Sequence, residues 1–417
     1  MEDFDPHINI EPLVEARDTN NYIIKEIDLE NSIGKIETPF KIMDVKNVSE
    51  SVANSLVKNR ENAIFESWNF VNKLNSYNKL YEIIEEPEGN QIQLLDKFFS
   101  LKKRLWNNSS TTLSLVFQKN PFEANKFNKG VSKPLSSEGY EFLLDYIHSA
   151  SSAFVLVPDI KMDDNFKMDD YIKYVDESVQ ILSDFNSKPI FVPIPIQLNN
   201  TEFEKLIKYY RYKGYTNIWV NFNASQMSGT YFTRVRYLLR TLKKEIQLTR
   251  TALYFSHIRK EIDRNVRDEK TVASNALAPF FGSDFLGISR EPQSNFNSKS
   301  KENYMIKNQF NTPSEMKEAQ LLNRTRVFDP DTYYYYNVDI SPSRSVFDEK
   351  ILKADTNNRM INSLLLDYEM NRTRNFVESN KVLKPYLKEK TALNDILEKI
   401  IAGNKKQSKL LEFMGKL

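Results

Sequence analysis

From about Ile36 onward the chain alternates between two hydrophobic rhythms. Short apolar runs bounded by polar residues recur, and between them lie segments whose apolar residues return every three or four positions. The first pattern is that of strands buried on both faces, the second that of helices with one covered side. Their alternation predicts β/α units on a parallel sheet. The predicted strands are Thr38–Val45, Ala63–Glu66, Thr112–Phe117, Ala153–Asp159, Pro189–Ile196, Asn217–Phe222, Ala252–His257 and Asp284–Ser289. The run Ala-Phe-Val-Leu-Val-Pro-Asp ending at Asp159 is the clearest. Pro189–Ile196 is the least regular, because Pro193 and Pro195 cannot donate ladder hydrogen bonds.

Between the strands, Ile92, Leu95 and Phe99 share a helical face, as do Ile172, Val175, Val179 and Leu182. Phe203, Leu206, Ile207 and Tyr210 repeat the spacing after Thr201 and Glu204, which stand at capping-box distance. Phe232, Val235, Leu239, Leu242 and Ile246 form a further stripe, and core packing accounts for all of them. Eight strands with intervening helices predict an α/β fold, a (β/α)8 TIM-type barrel over residues 36–291, with an open doubly wound sheet as the alternative.

The flanks read differently. Residues 1–35 are polar and acidic, which predicts an N-terminal arm. Residues 292–355 begin rich in Ser, Asn, Lys and Gln and read as an irregular linker or insertion. Tyr333–Tyr336 within it predict a strand with alternate tyrosines half buried. Residues 356–417 carry helical spacing at Met360, Leu364 and Tyr368, then at Leu393, Leu397, Ile400 and Ile401. Nine lysines over Lys381–Leu417 face only Glu389, Asp395, Glu398 and Glu412, so this helical extension is basic.

Composition narrows the chemistry. Lys and Arg number 58 against 56 Asp and Glu, a formal net charge of +2, so any nucleic-acid surface has to be local. There is no cysteine, which excludes disulfides, thiolate zinc sites, iron–sulfur clusters and cysteine nucleophiles. With three histidines, His7, His148 and His257, a histidine-rich metal site is excluded as well; carboxylate-bound Mg²⁺ stays open. The 10 glycines form no phosphate-cradling fingerprint, and no cofactor is implied. The start lacks the apolar core of a signal peptide and no run approaches the ~20 apolar residues of a membrane span, so the expected compartment is the cytoplasm, without a membrane partner.

In a parallel barrel, reactive groups gather where strands end. That rule nominates Asp159, whose carboxylate suits a general base, a nucleophile or an acceptor for a base edge, with a helix cap or loop ion pair as its competing use. It also nominates Glu66 and Asn69, Asn221, Asn223 and Gln226, His257, and Asp284 with Ser289 and Arg290. The amides pair donor with acceptor and suit nucleobase edges or loop turns equally. Arg234, Arg236, Arg240, Lys243, Lys244 and Arg250 form a basic stretch, continued by Arg259, Lys260, Arg264 and Arg267, that is either a solvated face or a phosphate-binding one.

The order of segments resembles the tRNA-guanine transglycosylase superfamily and its DNA-modifying relatives. Gly34-Lys-Ile-Glu-Thr-Pro-Phe-Lys-Ile-Met43 is similar to the stretch that opens that barrel. Phe65-Glu66-Ser67-Trp68-Asn69-Phe70 lies where the family has Asp-Ser-Gly-Gly-Phe-Gln. Asp159-Ile160 with Asp163-Asp164 resembles a later acidic segment, and Phe281–Gly287 the last strand. The resemblance implies base exchange on tRNA or DNA through a covalent link to the sugar, with Asp284 as nucleophile and Asp159 and Glu66 orienting the base. The chain departs from the family in Glu66 for aspartate, in two missing glycines, in Gly287 nearest the nucleophile's place, and in the absent zinc ligands. Two other readings stand beside it. One is a non-catalytic barrel that binds nucleic acid or protein as a partner subunit, in a homo- or hetero-oligomer. The other is an unrelated barrel enzyme for a small anionic substrate.

Overall fold

The computed structural model describes residues 7–401 apart from 20, 30–33, 45, 47, 49–53, 55–61, 87–88, 102–108, 186, 263–267, 292–297 and 348. Within it eight parallel strands close a (β/α)8 barrel. The first strand has two pieces, Phe40–Lys41 and Met43–Asp44, and the fourth likewise, Val155–Leu156 and Asp159–Ile160. The others are Ala63–Val71, Ser109–Phe117, Ile190–Pro195, Asn217–Asn221, Ala252–Ser256 and Phe285–Leu286. Phe40 pairs with Phe285 of the eighth strand and Met43 with Phe65 of the second, so the first strand joins the two edges. The fourth strand does the same between Val116 of the third and Ile190 of the fifth.

Two separate apolar cores follow from the period of two along each strand. The outer core lies between strands and helices, where Val175, Val179 and Leu182 meet Val155, Val192 and Ile218. The inner core fills the barrel with rings: Phe154, Phe191, Phe285, Tyr254 and Trp219 are all fully buried. Phe154 stands 4.7 Å from Phe191 and 5.6 Å from both Tyr254 and Phe285, centroid to centroid.

The expected N-terminal arm is instead a three-stranded antiparallel sheet of Ile8–Glu15, Ile23–Leu29 and Gly34–Glu37. Its Ile8, Ile27, Leu29 and Ile36 join the inner core, so this sheet closes the end of the barrel where the strands begin. Alternation in Ile-Ile-Lys-Glu-Ile-Asp-Leu is the signal, hidden by the acidic composition around it. The expected irregular linker also contains order. A helix spans Pro313–Arg324, started by Thr312, whose side chain accepts from Glu315 N, with Pro313 in its first turn. The strands Val327–Asp329 and Tyr334–Tyr336 pair with Lys270–Val272. Tyr335 is buried while Tyr334 and Tyr336 are half-buried, as the alternation implies. The long helix Asp355–Asn380 packs along the first strand, with Arg359 paired to Asp44 at 3.1 Å. Much of the basic tail lies outside the described residues. No described helix is long and apolar enough to cross a membrane.

Lys25 of the N-terminal sheet and Asp284 lock this closed end. Lys25 Nζ lies 2.8 Å from Asp284 Oδ2, and each side chain is 2% exposed. Thr38 and the Leu253 amide also donate to Asp284. Removing one member of a buried pair strands the other charge. Lys25→Met should therefore cost about 3–5 kcal/mol in urea unfolding, and adding Asp284→Asn should recover most of it. A single-variant loss under about 1 kcal/mol, the value of a surface pair, would contradict this role.

Candidate active site at the barrel mouth

The opposite end of the barrel, where the strands finish, is open between the fourth and fifth strands. Val155 N and Val157 N donate to Pro189 O and Phe191 O, and the paired register of the two strands ends at Phe191. Phe191, Pro193 and Pro195 direct their backbone groups to this seam, and the two prolines have no N–H to continue it. On its other side the fifth strand stays bonded to the sixth through Pro195. The fourth strand thus parts from the fifth and re-pairs with the third at Asp159. A pocket of about 190 Å³ occupies the gap, lined among others by Asp159, Lys161, Gln197, Glu202, Asn221 and Asn223.

Asp159 is 2% exposed. Tyr171, from the helix Met168–Asp184, donates its hydroxyl to Oδ1 at 2.8 Å, and Asn221 Nδ2 donates to Oδ2 at 2.6 Å. Burial pushes the Asp159 carboxyl up to about 6, against the pull of these two neutral donors.

Behind Asp159 a line of polar side chains crosses the barrel. With Asn221 Nδ2 committed to Asp159, its Oδ1 is the acceptor 2.9 Å from His257 Nδ1, which fixes the proton on Nδ1. His257 Nε2 is then the acceptor facing Ser114 Oγ at 3.2 Å, and Ser114 Oγ lies 2.5 Å from Glu66 Oε1. Glu66 Oε2 accepts from the Tyr254 hydroxyl and from Ile288 N. Burial raises the Glu66 carboxyl, and burial with the charges of Arg290 and Lys46 holds His257 well below its ordinary value. The imidazole is neutral and Ser114 donates to Glu66 Oε1. His257 then donates to Asn221, and Asn221 to Asp159.

Local backbone shape aims these groups. His257, Asn223 and Ala224 take φ of 58°, 45° and 63°, the left-handed region. The chain turns sharply there, and Ala224 N bonds His257 O at 2.8 Å. Gly287 makes room for the Tyr254 phenol. A Cβ at that position would lie 2.6 Å from Ser256 Cβ and press on the Tyr254 hydroxyl.

Of the residues nominated from sequence, Asp159, Asn221 and Asn223 meet at the pocket, and His257 and Glu66 stand behind them in one hydrogen-bonded line. Asp284 does not join them. It precedes the eighth strand and is buried at the closed end with Lys25, while Asp159 lines the pocket at the mouth, so its assignment as nucleophile is corrected. Nor can the place nearest the family's nucleophile hold a carboxylate, because Gly287 is crowded by Tyr254 and Ser256. Asn69 donates to Phe98 O at 2.8 Å and accepts from Phe70 N, which makes it a local brace. Gln226 accepts from Arg259 at 3.4 Å.

The basic stretch is divided. Arg234 caps the carbonyl of Gln197 at 2.8 Å, Arg236 is half-buried, and Arg259 pairs with Glu291 at 3.7 Å. Arg240, Lys243 and Lys244 are exposed on the helix Thr230–Glu245. Arg264 and Arg267 lie outside the described residues. Sequence reasoning missed Ser114 and Tyr171 altogether, because each sits inside a run read as strand or helix core. A hydroxyl at an otherwise apolar strand position was the available signal for Ser114.

Comparison with known proteins assigns no family to this chain. No protein-family model and no curated protein matches the sequence. Among solved structures, the carboxyl transferase domain of Rhizobium etli pyruvate carboxylase with 3-bromopyruvate is similar at 9% identity and a TM-score of 0.35, over 60% of this chain and 39% of that one. The type I 3-dehydroquinate dehydratase of Clostridium difficile is similar at 12% and 0.33, over 71% and 97%. The N-terminal domain of a putative aldolase from Bacteroides vulgatus is similar at 12% and 0.34, over 89% and 99%. The chain thus spans about two fifths of the carboxyl transferase chain. Likenesses at this level carry no statement about chemistry; the closed strand pairing itself defines the (β/α)8 class.

The raised Asp159 carboxyl has a consequence for stability. A group whose folded pKa lies above its unfolded one favours the fold at low pH, and that contribution is lost as pH rises through the folded value, here about 6. Asn at this position keeps the shape without the charge: Oδ1 accepts from Asn221, and Nδ2 donates to Tyr171, whose hydroxyl turns to Pro193 O, 3.3 Å away. Asp159→Asn should raise stability at pH 8 by up to about 3 kcal/mol, shrinking to nothing below about pH 4. Thermal melts of both proteins across this range test it; a pH-independent difference would contradict it.

Proposed function

We propose that this barrel is an enzyme that binds a small polar molecule at the mouth and moves a proton on or off it with Asp159. The observation that carries the reading is the Asp159 carboxyl itself, which lines the pocket and is pushed to about 6. A general acid or base works best when its pKa lies near the ambient pH. A pocket of about 190 Å³ is smaller than the ~300–1,000 Å³ typical of drug-sized ligands, which favours a compact substrate. Lys161, Gln197, Glu202 and Asn223 around it offer both donors and acceptors, and the line from Glu66 keeps Asn221 fixed beneath the carboxyl.

A nucleobase is the second reading. The amides of Gln197, Asn221 and Asn223 favour it, since each pairs a donor with an acceptor. It lacks a carboxylate at the end of the eighth strand, so covalent base exchange has no nucleophile there. A barrel that binds without chemistry would keep the pocket and lose the proton transfer.

The test is solvent exchange. The protein is incubated in D2O with a panel of small carbonyl compounds, hydroxy acids and phosphate esters, and loss of C–H signal is followed by proton NMR. Exchange on at least one compound is expected, with a rate that inflects near pH 6 and falls about a hundredfold or more in Asp159→Asn. Exchange that is undiminished in this variant overturns the assignment. Incorporation of a labelled base into tRNA or DNA would transfer support to the second reading.

A further inference from the structure

Buried cations elsewhere among the described residues meet a carboxylate or, at Lys41, a set of backbone carbonyls. Lys25 has Asp284 at 2.8 Å, Arg326 has Glu261 at 2.7 Å, and Lys390 has Glu369 at 3.2 Å. Arg290, just after the eighth strand, is different. It is 7% exposed, and its guanidinium lies 3.4 Å from the centroid of the Phe70 ring. It donates one side-chain hydrogen bond, from Nη1 to Asn223 Oδ1 at 2.8 Å, to a neutral amide. Among the described residues no carboxylate lies within ion-pair distance of it. A guanidinium has five N–H donors, so most of its capacity is unspent in a setting where spare charge is costly.

Lys46, after the first strand, repeats the arrangement. Its Nζ stands 4.0 Å over the Trp68 ring and donates to Trp68 O at 2.7 Å. The nearby carboxylate, Asp44, is taken by Arg359. Trp68 and Phe70 are two apart on the second strand and share a face, so the two cations stand on neighbouring rings. Both charges also reach His257, which places them at the same end of the barrel as the polar line. Asn223, the acceptor of Arg290, is part of the pocket wall.

We propose that Arg290, with Lys46 beside it, forms an anion subsite that holds the carboxylate or phosphate of the small molecule bound in the adjoining pocket. A planar guanidinium grips either oxyanion through paired N–H donors, and the aromatic faces beneath the two cations hold them in place without neutralising them. The subsite rests on the reading of the pocket as a small-molecule site, but its occupation by an oxyanion does not require Asp159.

The full chain is titrated calorimetrically with inorganic phosphate and, separately, with acetate, beside Arg290→Gln, Lys46→Met, Asp159→Asn and Arg240→Gln, the last on the exposed helix face. Saturable binding of at least one anion is expected, with the preferred one naming the group the substrate carries. Affinity should fall at least about tenfold in Arg290→Gln and to a lesser degree in Lys46→Met, and should persist in the other two. Should Arg290→Gln fail to fold, Lys46→Met alone reads the subsite. Absence of saturable binding by both anions to the unmodified protein, or an equal loss in Arg240→Gln, overturns the proposal. Anion binding without proton exchange would sink the Asp159 reading while leaving the subsite; exchange without anion binding would do the reverse.

Discussion

A carboxyl group at position 66 has no exposed surface and sits inside the barrel, and much of the mouth is arranged around that fact. Burying a carboxyl without partners costs several kcal/mol, so Glu66 is surrounded by donors: Ser114 from the third strand, Tyr254 from the seventh and the amide of Ile288 from the eighth. Tyr254 reaches it because residue 287 has no side chain. Ser114 passes the contact to His257, and His257 fixes the orientation of Asn221. Strands far apart around the barrel are thereby held in register by hydrogen bonds, where most of the fold is held by apolar contact.

This divides the barrel along its axis. Towards the closed end the interior is a cluster of aromatic rings under the N-terminal sheet, with the Lys25–Asp284 pair as a buried charge contact to that sheet. Towards the open end the interior is polar, with Glu66, Ser114, His257, Asn221 and Asp159 joined in one hydrogen-bonded line. The pocket falls where the second kind of interior meets solvent, at the seam loosened by Pro193 and Pro195. Rigid strands below and left-handed turns at Asn223, Ala224 and His257 above place the side chains with little freedom, which is what a site for proton transfer needs.

How much of this was legible in the sequence differs by element. The eight strands were, because buried parallel strands are continuous apolar runs and the helices between them carry an intact stripe. Asp159 was legible as well, since a carboxylate directly after an apolar run and a proline has to emerge at a strand end. The N-terminal sheet was not, because the acidic composition around it masked the alternation at Lys25, Ile27 and Leu29. Asp284 was misplaced by its position in the strand: one residue before a run is the closed end, one after it is the mouth, and a few residues of register decide between them. Arg290 could be placed from sequence, but its lack of a counter-ion among the described residues could not, since that depends on which carboxylates the fold brings near.

The chemistry of the mouth depends most directly on the state of one carboxyl group, that of Asp159. Carbon-13 NMR of the protein labelled at the aspartate carboxyl carbons, with the signal assigned by its absence in Asp159→Asn, follows that group through pH. The prediction is that the signal lost in Asp159→Asn titrates near 6 in the unmodified protein. A signal for Asp159 that titrates at the ordinary value of about 4 would contradict the account, because a carboxyl so exposed to water would have neither the burial nor the poise assigned to it here.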